Sequence, residues 1–310
     1  MHIHRSLDEI HLAGAWLTIG VYDGVHTGHR AILSDLVAGA HAASRPAVVV
    51  TFDPHPVAVL RPDVRVRLLT TPDERAARMS ELGVDHVVIQ HFDRDFSRQT
   101  ALAFTEQLKD RTGFERLLVG YDFAMGRDRG GDVAALRLMG AELGFELQVY
   151  DPVLNGETAV SSSRIRLALA EGRVGEAGAM LGRAYTVSGP VVAGAQRGRS
   201  IGIPTANVAV PADKLLPATG VYACRVTVNS ATFGAAANIG VRPTFEPDTA
   251  EMTVEAHLLD FESDIYNCIV DVAFVEKLRE EIKFSGVEAL VAQIRADILQ
   301  AREVLGEGLS

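Results

Sequence analysis

Two short stretches of this chain concentrate side chains suited to phosphate chemistry. In the first, Gly20-Val21-Tyr22-Asp23-Gly24-Val25-His26-Thr27-Gly28-His29, two imidazoles stand three residues apart among glycines. An apolar strand-like run precedes it, and a helical pattern through Ile32, Leu33, Leu36 and Val37 follows. Backbone N–H groups and the positive end of the helix dipole point out of such a turn, which makes it a phosphate site. Gly24 and Gly28 let a polyanion approach the backbone closely. His26 and His29 would then hydrogen-bond phosphate oxygens and stabilise charge as pyrophosphate departs. A zinc site built from His26, His29 and His55 is a weaker competitor, because it lacks the HExxH arrangement and any thiolate. Two histidines on an ordinary surface turn are the plain alternative.

The second stretch, Gly194-Ala195-Gln196-Arg197-Gly198-Arg199-Ser200-Ile201-Gly202-Ile203-Pro204-Thr205-Ala206-Asn207, joins permissive glycines to two arginines and a Thr/Asn pair. It is not GxxxxGK[ST]. Lysine occurs only at Lys109, Lys214, Lys277 and Lys283, never after glycine, so any ATP phosphates need a device other than a P-loop. Backbone amides of a glycine-rich flap would serve, while Thr205 and Asn207 offer hard oxygens to Mg²⁺. A long, turn-rich hairpin is the alternative without chemistry.

The elements that must carry these stretches fall into two rhythms. From residue 15 to about 182, apolar runs at 16–19, 47–52, 86–89, 116–119 and 147–150 alternate with helical patterns, which predicts a parallel sheet wrapped by helices. Thr71, Pro72 and Glu74 supply an N-cap, a first-turn proline and a capping-box acid ahead of a helix over 75–82. After Gly182 the runs 185–192, 221–228, 254–261 and 269–274, separated by turn residues, predict an antiparallel barrel. Val287, Leu290, Val291, Ile294 and Ile298 then form one helical apolar stripe that would cover it. The expected division is 1–183 and 184–310. A length of 310 residues is about twice the soft prior of ~150 for one domain.

Composition excludes several classes. With 47% hydrophobic and 23% charged residues the chain is an ordinary globular one. A formal charge of -10 argues against nucleic acid as a partner. No run approaches the ~20 apolar residues of a membrane span, and the N-terminus has no signal-like apolar region. Two cysteines, Cys224 and Cys268, without a CxxC pair fit a reducing cytoplasm. Nothing in the sequence points to an oligomeric state.

The decapeptide at 20–29 resembles the HxGH signature of the nucleotidylyltransferase superfamily, which transfers AMP from ATP. Val160-Ser161-Ser162-Ser163-Arg164-Ile165-Arg166 resembles its serine-rich motif, whose hydroxyls, helix N–H groups and Arg hold the triphosphate; a serine run before a helix is otherwise an N-cap. The stretch at 194–207 is similar to the hallmark of riboflavin kinase. Further matches follow at Gly220-Val221-Tyr222-Ala223, Asn238-Ile239-Gly240-Val241-Arg242-Pro243-Thr244-Phe245, Val254-Glu255-Ala256-His257-Leu258-Leu259-Asp260-Phe261 and Leu278-Arg279-Glu280-Glu281-Ile282-Lys283-Phe284. From about 15 to 303 the chain resembles the bacterial bifunctional riboflavin kinase/FMN adenylyltransferase (FAD synthetase) family.

That resemblance implies a Rossmann-like α/β adenylyltransferase domain followed by a β-barrel kinase domain with a C-terminal helix. It implies Glu255 as general base on riboflavin's ribityl 5′-hydroxyl, with Thr205 and Asn207 as Mg²⁺·nucleotide ligands. Gly194, Arg197, Gly198, Arg199 and Gly202 would bind ATP there, and Arg279 would shape the flavin side. In the first half it implies phosphate binding by Gly20, Asp23, Gly24, Gly28, Ser162, Ser163 and Arg166 around His26 and His29. Asp122, Phe123 and His55 would lie near the flavin, in loops that otherwise read as sheet-end turns. The substrates and products would be riboflavin, FMN, FAD, ATP, ADP and pyrophosphate.

Three positions depart from the family pattern: Met125 where a second aromatic is usual, Ser163 where Thr is common, and Ile203 for a frequent Phe. Met125 bears on the shape of the flavin pocket. Three rival readings are an adenylyltransferase with another acceptor, a chain in which only the kinase works, and a flavin-binding sensor. The first leaves the barrel half unexplained, the second leaves the intact His26 and His29 unexplained, and the third predicts loss of Glu255 or of Thr205 and Asn207.

Overall fold

The computed structural model describes residues 1–194, 202–242 and 251–306. Packing divides the chain into two compact units, Met1–Ser162 and Ser163–Ser310. The sequence rhythm changes later, at 182–185, because two helices precede the first barrel strand and pack with the second unit.

In the first unit six strands form one parallel sheet: β1 (His2–His4), β2 (Trp16–Ile19), β3 (Ala47–Asp53), β4 (His86–His91), β5 (Arg116–Gly120) and, after two-residue strands β6 (Ala124–Met125) and β7 (Gly131–Asp132), β8 (Glu146–Tyr150). Their order is β1-β4-β3-β2-β5-β8. β3 reads Ala-Val-Val-Val-Thr-Phe-Asp and is buried through Phe52, as expected for a central strand covered on both faces. One face packs Leu17, Val48, Val50 and Leu117 against Phe104, Leu108 and Leu136. The other packs Val49, Val87 and Leu118 against Leu33, Leu36 and Met79. The covering helices are α1 (Thr27–Ala42), α3 (Pro72–Glu81), α4 (Ala101–Thr112) and α5 (Val133–Leu143), with a short α2 (Pro56–Leu60). The capping box predicted for α3 is present: Thr71 Oγ1 accepts the Glu74 N–H and Glu74 accepts the Thr71 N–H.

The sheet reverses direction of winding between β2 and β5. At such a switch point the loops leaving the carboxyl ends of neighbouring strands diverge and open a crevice, where α/β sheets bind ligands. The loop that leaves β2 ends at His26 and runs into the first turn of α1 with His29, and the loop holding Asp122 and Phe123 leaves β5. β1 has no counterpart in the sequence reading; it is three residues long and joins the edge in register His2↔His86.

The second unit begins with α6 (Ser162–Ala170, from its second residue) and α7 (Val174–Leu181), after the β9–β10 hairpin (Leu154–Asn155 and Thr158–Ala159) of the first unit. A closed barrel follows in the order β11-β12-β15-β14-β13-β16, from β11 (Tyr185–Val192), β12 (Ala206–Val208), β13 (Gly220–Val228), β14 (Ala231–Arg242), β15 (Glu251–Leu258) and β16 (Ile269–Arg279). Every pairing is antiparallel, and closure leaves no unpaired edge. β12 and β14 were not predicted. β12 is only three residues long, and β14 carries Gly234-Ala235-Ala236-Ala237, residues of low strand propensity. Small residues suit β14 because the last helix, α8 (Val287–Leu305), packs Ala301 and Leu305 on Ala223 and Ala236.

Candidate active sites

The loop after β2 is held in an uncommon conformation by internal bonds. Tyr22, Gly24 and Val25 all have positive φ (53°, 86° and 40°), costly for Tyr and for β-branched Val and natural for Gly24. Asp23, 1% exposed, fixes it: its carboxylate accepts the N–H groups of Leu69 (3.0 Å) and Thr70 (2.8 Å) and the Thr70 hydroxyl (3.0 Å). Thr70 Oγ1 also accepts the Gly24 N–H at 2.9 Å. The Asp23 carboxylate therefore sets the loop by its bonds to Leu69 and Thr70. Gly20 and Gly28 also pack closely, since a Cβ would meet the Tyr22 ring at 2.9 Å or the His26 ring at 3.2 Å.

His26 is the N-cap of α1, its Nδ1 accepting the His29 N–H at 3.3 Å. That bond assigns the ring proton to Nε2, which leaves Nε2 as a donor. The two imidazoles stack at 3.6 Å, and Tyr22 meets His29 edge-on at 4.9 Å. Tyr22 Oη donates to Thr18 Oγ1 (2.5 Å), whose own hydrogen goes to Leu118 O (2.6 Å). Burial holds the phenol protonated. His29 is partly exposed, but its Nδ1 is buried without a hydrogen-bond partner. Burial first, then His26 and Arg75, hold its imidazole well below the ordinary histidine range. A neutral imidazole of this kind gains a proton when negative charge arrives beside it.

Ser162 Oγ donates to Asp23 O at 2.9 Å, so the serine-rich motif meets the histidine loop through its first helical residue. Ser163 and Arg166 follow on α6. His55 caps α2, its Nδ1 accepting the Val57 N–H at 3.1 Å. Asp122 is exposed after β5, and Phe123 packs partly into the core. Met125, the departure that bears on the flavin pocket, is 8% exposed within that core. Among the described residues no group of three or more His, Cys, Asp or Glu side chains is placed to hold a metal ion.

In the barrel, register assembles the site. Asn207 on β12 pairs with Glu255 on β15, which pairs on its other side with Asn238 on β14. Residues directly opposite one another share a face, so the three side chains form one row. β15 buries Val254, Ala256 and Leu258 and turns Glu255 and His257 to the opposite face. Glu255, Asn238, His257 and Arg279 line a cavity of ≈ 640 Å³ walled by Val287, Leu290 and Ile294 of α8. A second cavity of ≈ 290 Å³ is lined by Asn207, Gly194 and residues 261–266. Thr205 lines both. A Cβ on Gly194 would lie 2.3 Å from the Asn207 amide, so glycine lets that strand end approach.

Arg279 makes a bidentate pair with Asp297 of α8 (2.8 and 2.7 Å). The apolar stripe of α8 thus divides its work: its first turns wall the larger cavity, and Ile298, Ala301 and Leu305 cover the barrel. His257 Nδ1 lies 2.8 Å from Pro204 O, tying the Thr205 segment to β15. Gly202 is an exposed turn with φ +75°. Arg197, Gly198 and Arg199, and residues 243–245, lie outside the described residues. Sequence reasoning assigned no role to Thr70, Arg75, Asn238, His257 or Asp297. Asn238 and His257 lay inside quoted motifs, and a period-two reading from Glu255 would have found His257; the others are visible only through folding.

The FAD synthetase family model matches residues 8–164, and the riboflavin kinase model matches residues 181–305. A Pseudomonas fluorescens protein named bifunctional riboflavin kinase/FMN adenylyltransferase is 38% identical over 93% of this chain and 92% of its own. Its Escherichia coli K12 namesake is 37% identical over 97% and 96%. A Streptococcus pneumoniae crystal structure described as a macrolide-efflux protein superposes with a TM-score of 0.88 at 30% identity, over 97% of this chain and 98% of that one. Among the described residues of the present chain, no helix is long and apolar enough to cross a membrane.

Proposed function

The chain belongs to the bifunctional riboflavin kinase/FMN adenylyltransferase family, and from that premise we propose which of its residues carry each reaction. It makes FMN from riboflavin and ATP, releasing ADP, and then FAD from FMN and a second ATP, releasing pyrophosphate. We assign the kinase to residues 184–310 and the adenylyltransferase to residues 1–183.

In the kinase, Glu255 is the general base. A neutral alcohol attacks phosphorus poorly, so a carboxylate that takes the ribityl 5′-hydroxyl proton helps form the nucleophile as the γ-phosphoryl transfers. The flavin fits the larger cavity, beside Arg279 and under α8, and the nucleotide fits the smaller one. Thr205, shared by both, stands where the transferred group crosses. Thr205 and Asn207 offer neutral hard oxygens, a donor set suited to Mg²⁺ that arrives with phosphates. Bound there, Mg²⁺ would offset charge on the β- and γ-oxygens. Arg197, Gly198 and Arg199, with Gly194 and Gly202 at the ends of that segment, complete the nucleotide side.

In the adenylyltransferase the FMN phosphate is itself the nucleophile toward the α-phosphorus, and no protein nucleophile is needed. His26 donates from Nε2, and His29 takes up charge as pyrophosphate leaves. Ser162, Ser163 and Arg166 hold the triphosphate, Gly24 and Gly28 admit it, and Asp122, Phe123 and His55 border the flavin. We place both reactions in the cytoplasm, where the free thiols Cys224 and Cys268 would stay reduced.

One observation carries the assignment most: the Asn207–Glu255–Asn238 row, with Thr205 opening on both cavities. Purified protein given riboflavin, ATP and Mg²⁺ should form FMN and then FAD, separable by chromatography. Formation of neither would reject the reading.

A further inference from the structure

Behind the histidine pair lies a guanidinium that neither reaction has yet used. Arg75, on the first turn of α3, is 1% exposed. Its Nη1 donates to Thr51 Oγ1 at 2.9 Å and to Phe52 O at 3.3 Å. Thr51 Oγ1 donates in turn to Val21 O at 2.9 Å. A single chain of bonds thus runs from α3 through β3 into the loop that presents His26 and His29. The residues just before α3 grip the same loop, because Leu69 and Thr70 hold Asp23 and Gly24. The capping box at Thr71 and Glu74 fixes where α3 begins, and so where Arg75 stands.

We propose that Arg75 is a positioning residue for adenylyl transfer: it clamps the histidine loop through Thr51 and supplies a fixed, buried positive charge within electrostatic reach of His29. A guanidinium stays charged at any working pH, and burial strengthens its field at neighbouring groups. Among the described residues, the rings of His26 and Tyr22 pack against His29, and the Arg75 charge reaches it from α3. Thr18 on β2 and Thr51 on β3 bring only neutral hydroxyls, and the Asp23 carboxylate is turned onto residues 69–70. In the free protein the Arg75 charge opposes protonation of His29. An incoming triphosphate reverses the local sign, so His29 gains its proton only with substrate in place. Arg75 bonds Thr51 and Phe52 on β3, not the reacting atoms, and it acts on the histidine loop through Thr51.

The test uses the full chain and three variants: Arg75→Met, which removes the charge, Thr51→Val, which removes the link to Val21, and His29→Ala. FAD formation from FMN and ATP is followed against pH, and the His29 imidazole is titrated by NMR without nucleotide. Arg75→Met should lower kcat by up to about 100-fold, the cost of misplacing reacting groups by a change made away from the chemistry, with KM for FMN little changed. The His29 titration and the acidic limb of its pH profile should move to higher pH. Thr51→Val should lower kcat by a smaller factor and decides the case if Arg75→Met does not fold. A folded Arg75→Met variant with wild-type titration and pH profile overturns the inference, as does Thr51→Val with unchanged kcat where it must decide. The inference rests on assigning His29 to adenylyl transfer. An active His29→Ala variant rejects that assignment, whereas an inactive one beside a wild-type Arg75→Met profile rejects the role of Arg75 alone.

Discussion

The two units carry the two proposed sites, each for a nucleotide triphosphate beside a flavin, on opposite constructions. In the first, the histidines lie on one ten-residue stretch where the loop after β2 turns into α1, and that turn is fastened from within. Asp23 takes three donors, Ser162 holds the Asp23 carbonyl, and Thr51 holds Val21. In the barrel, Asn207, Glu255, Asn238 and Arg279 come from four strands and stand together only through register and α8. A contiguous motif must be stiffened by its surroundings, because a loop alone does not hold two imidazoles in place. A barrel is stiff already, and its site needs only correct pairing. Disturbances should therefore reach the first site from its supports, and the second mainly through residues that line it.

The largest effect expected from that contrast is local to the barrel. Asn207→Leu, close in size but without the amide, should cut riboflavin phosphorylation about 10²-fold and leave FMN adenylylation unchanged, as read by separate assays on one preparation. Equal loss of both activities would break the comparison.

Next is the support of the flavin cavity. Asp297→Ala strands Arg279, which is only 21% exposed in its side chain. The barrel should lose about 3 kcal/mol, the low end for a broken buried pair, and KM for riboflavin should rise. Chemical denaturation followed at barrel amides measures the first, and initial rates the second.

A smaller change tests the first unit. Thr71→Ala removes the cap that starts α3 and should cost about 1 kcal/mol. Hydrogen exchange should quicken in α3 and the histidine loop and not in the barrel. FAD formation should fall while FMN formation holds.

The smallest expected effect is in pH. Burial lowers the imidazoles of both His29 and His86, the second aided by His4 and His2. Each is protonated more readily in the unfolded chain, so their contribution to stability is lost as pH falls through about 6.5 toward the folded-state values. The barrel's Asp260, held low by its bond to Arg302, acts only below about pH 3.8, and weakly because it is exposed. Between pH 7 and 5 the first unit should lose protection from exchange and the barrel should not.

The sequence made the contiguous features legible. Glycines, two histidines and a following helix announce the loop after β2, and Thr71-Pro72-Asp73-Glu74 announces α3. Motifs single out Glu255, Thr205 and Asn207, but nothing local says that residues 207, 238 and 255 stand in one row, since register emerges only when the barrel closes. β14 was hidden for a related reason: its alanines are poor strand formers and suit the sheet only beneath α8. Asp23 shows the converse. It belongs to the phosphate motif by position, yet its carboxylate faces Leu69 and Thr70, a contact 46 residues away that no local pattern encodes.

The separation of the two sites is tested most directly by two variants assayed with two starting flavins. Glu255→Gln should make no FMN from riboflavin yet convert supplied FMN to FAD at the wild-type rate. His29→Ala should make FMN from riboflavin and accumulate it without FAD. If either folded variant loses both activities, or loses the one assigned to the other unit, the account of two independently built sites is contradicted.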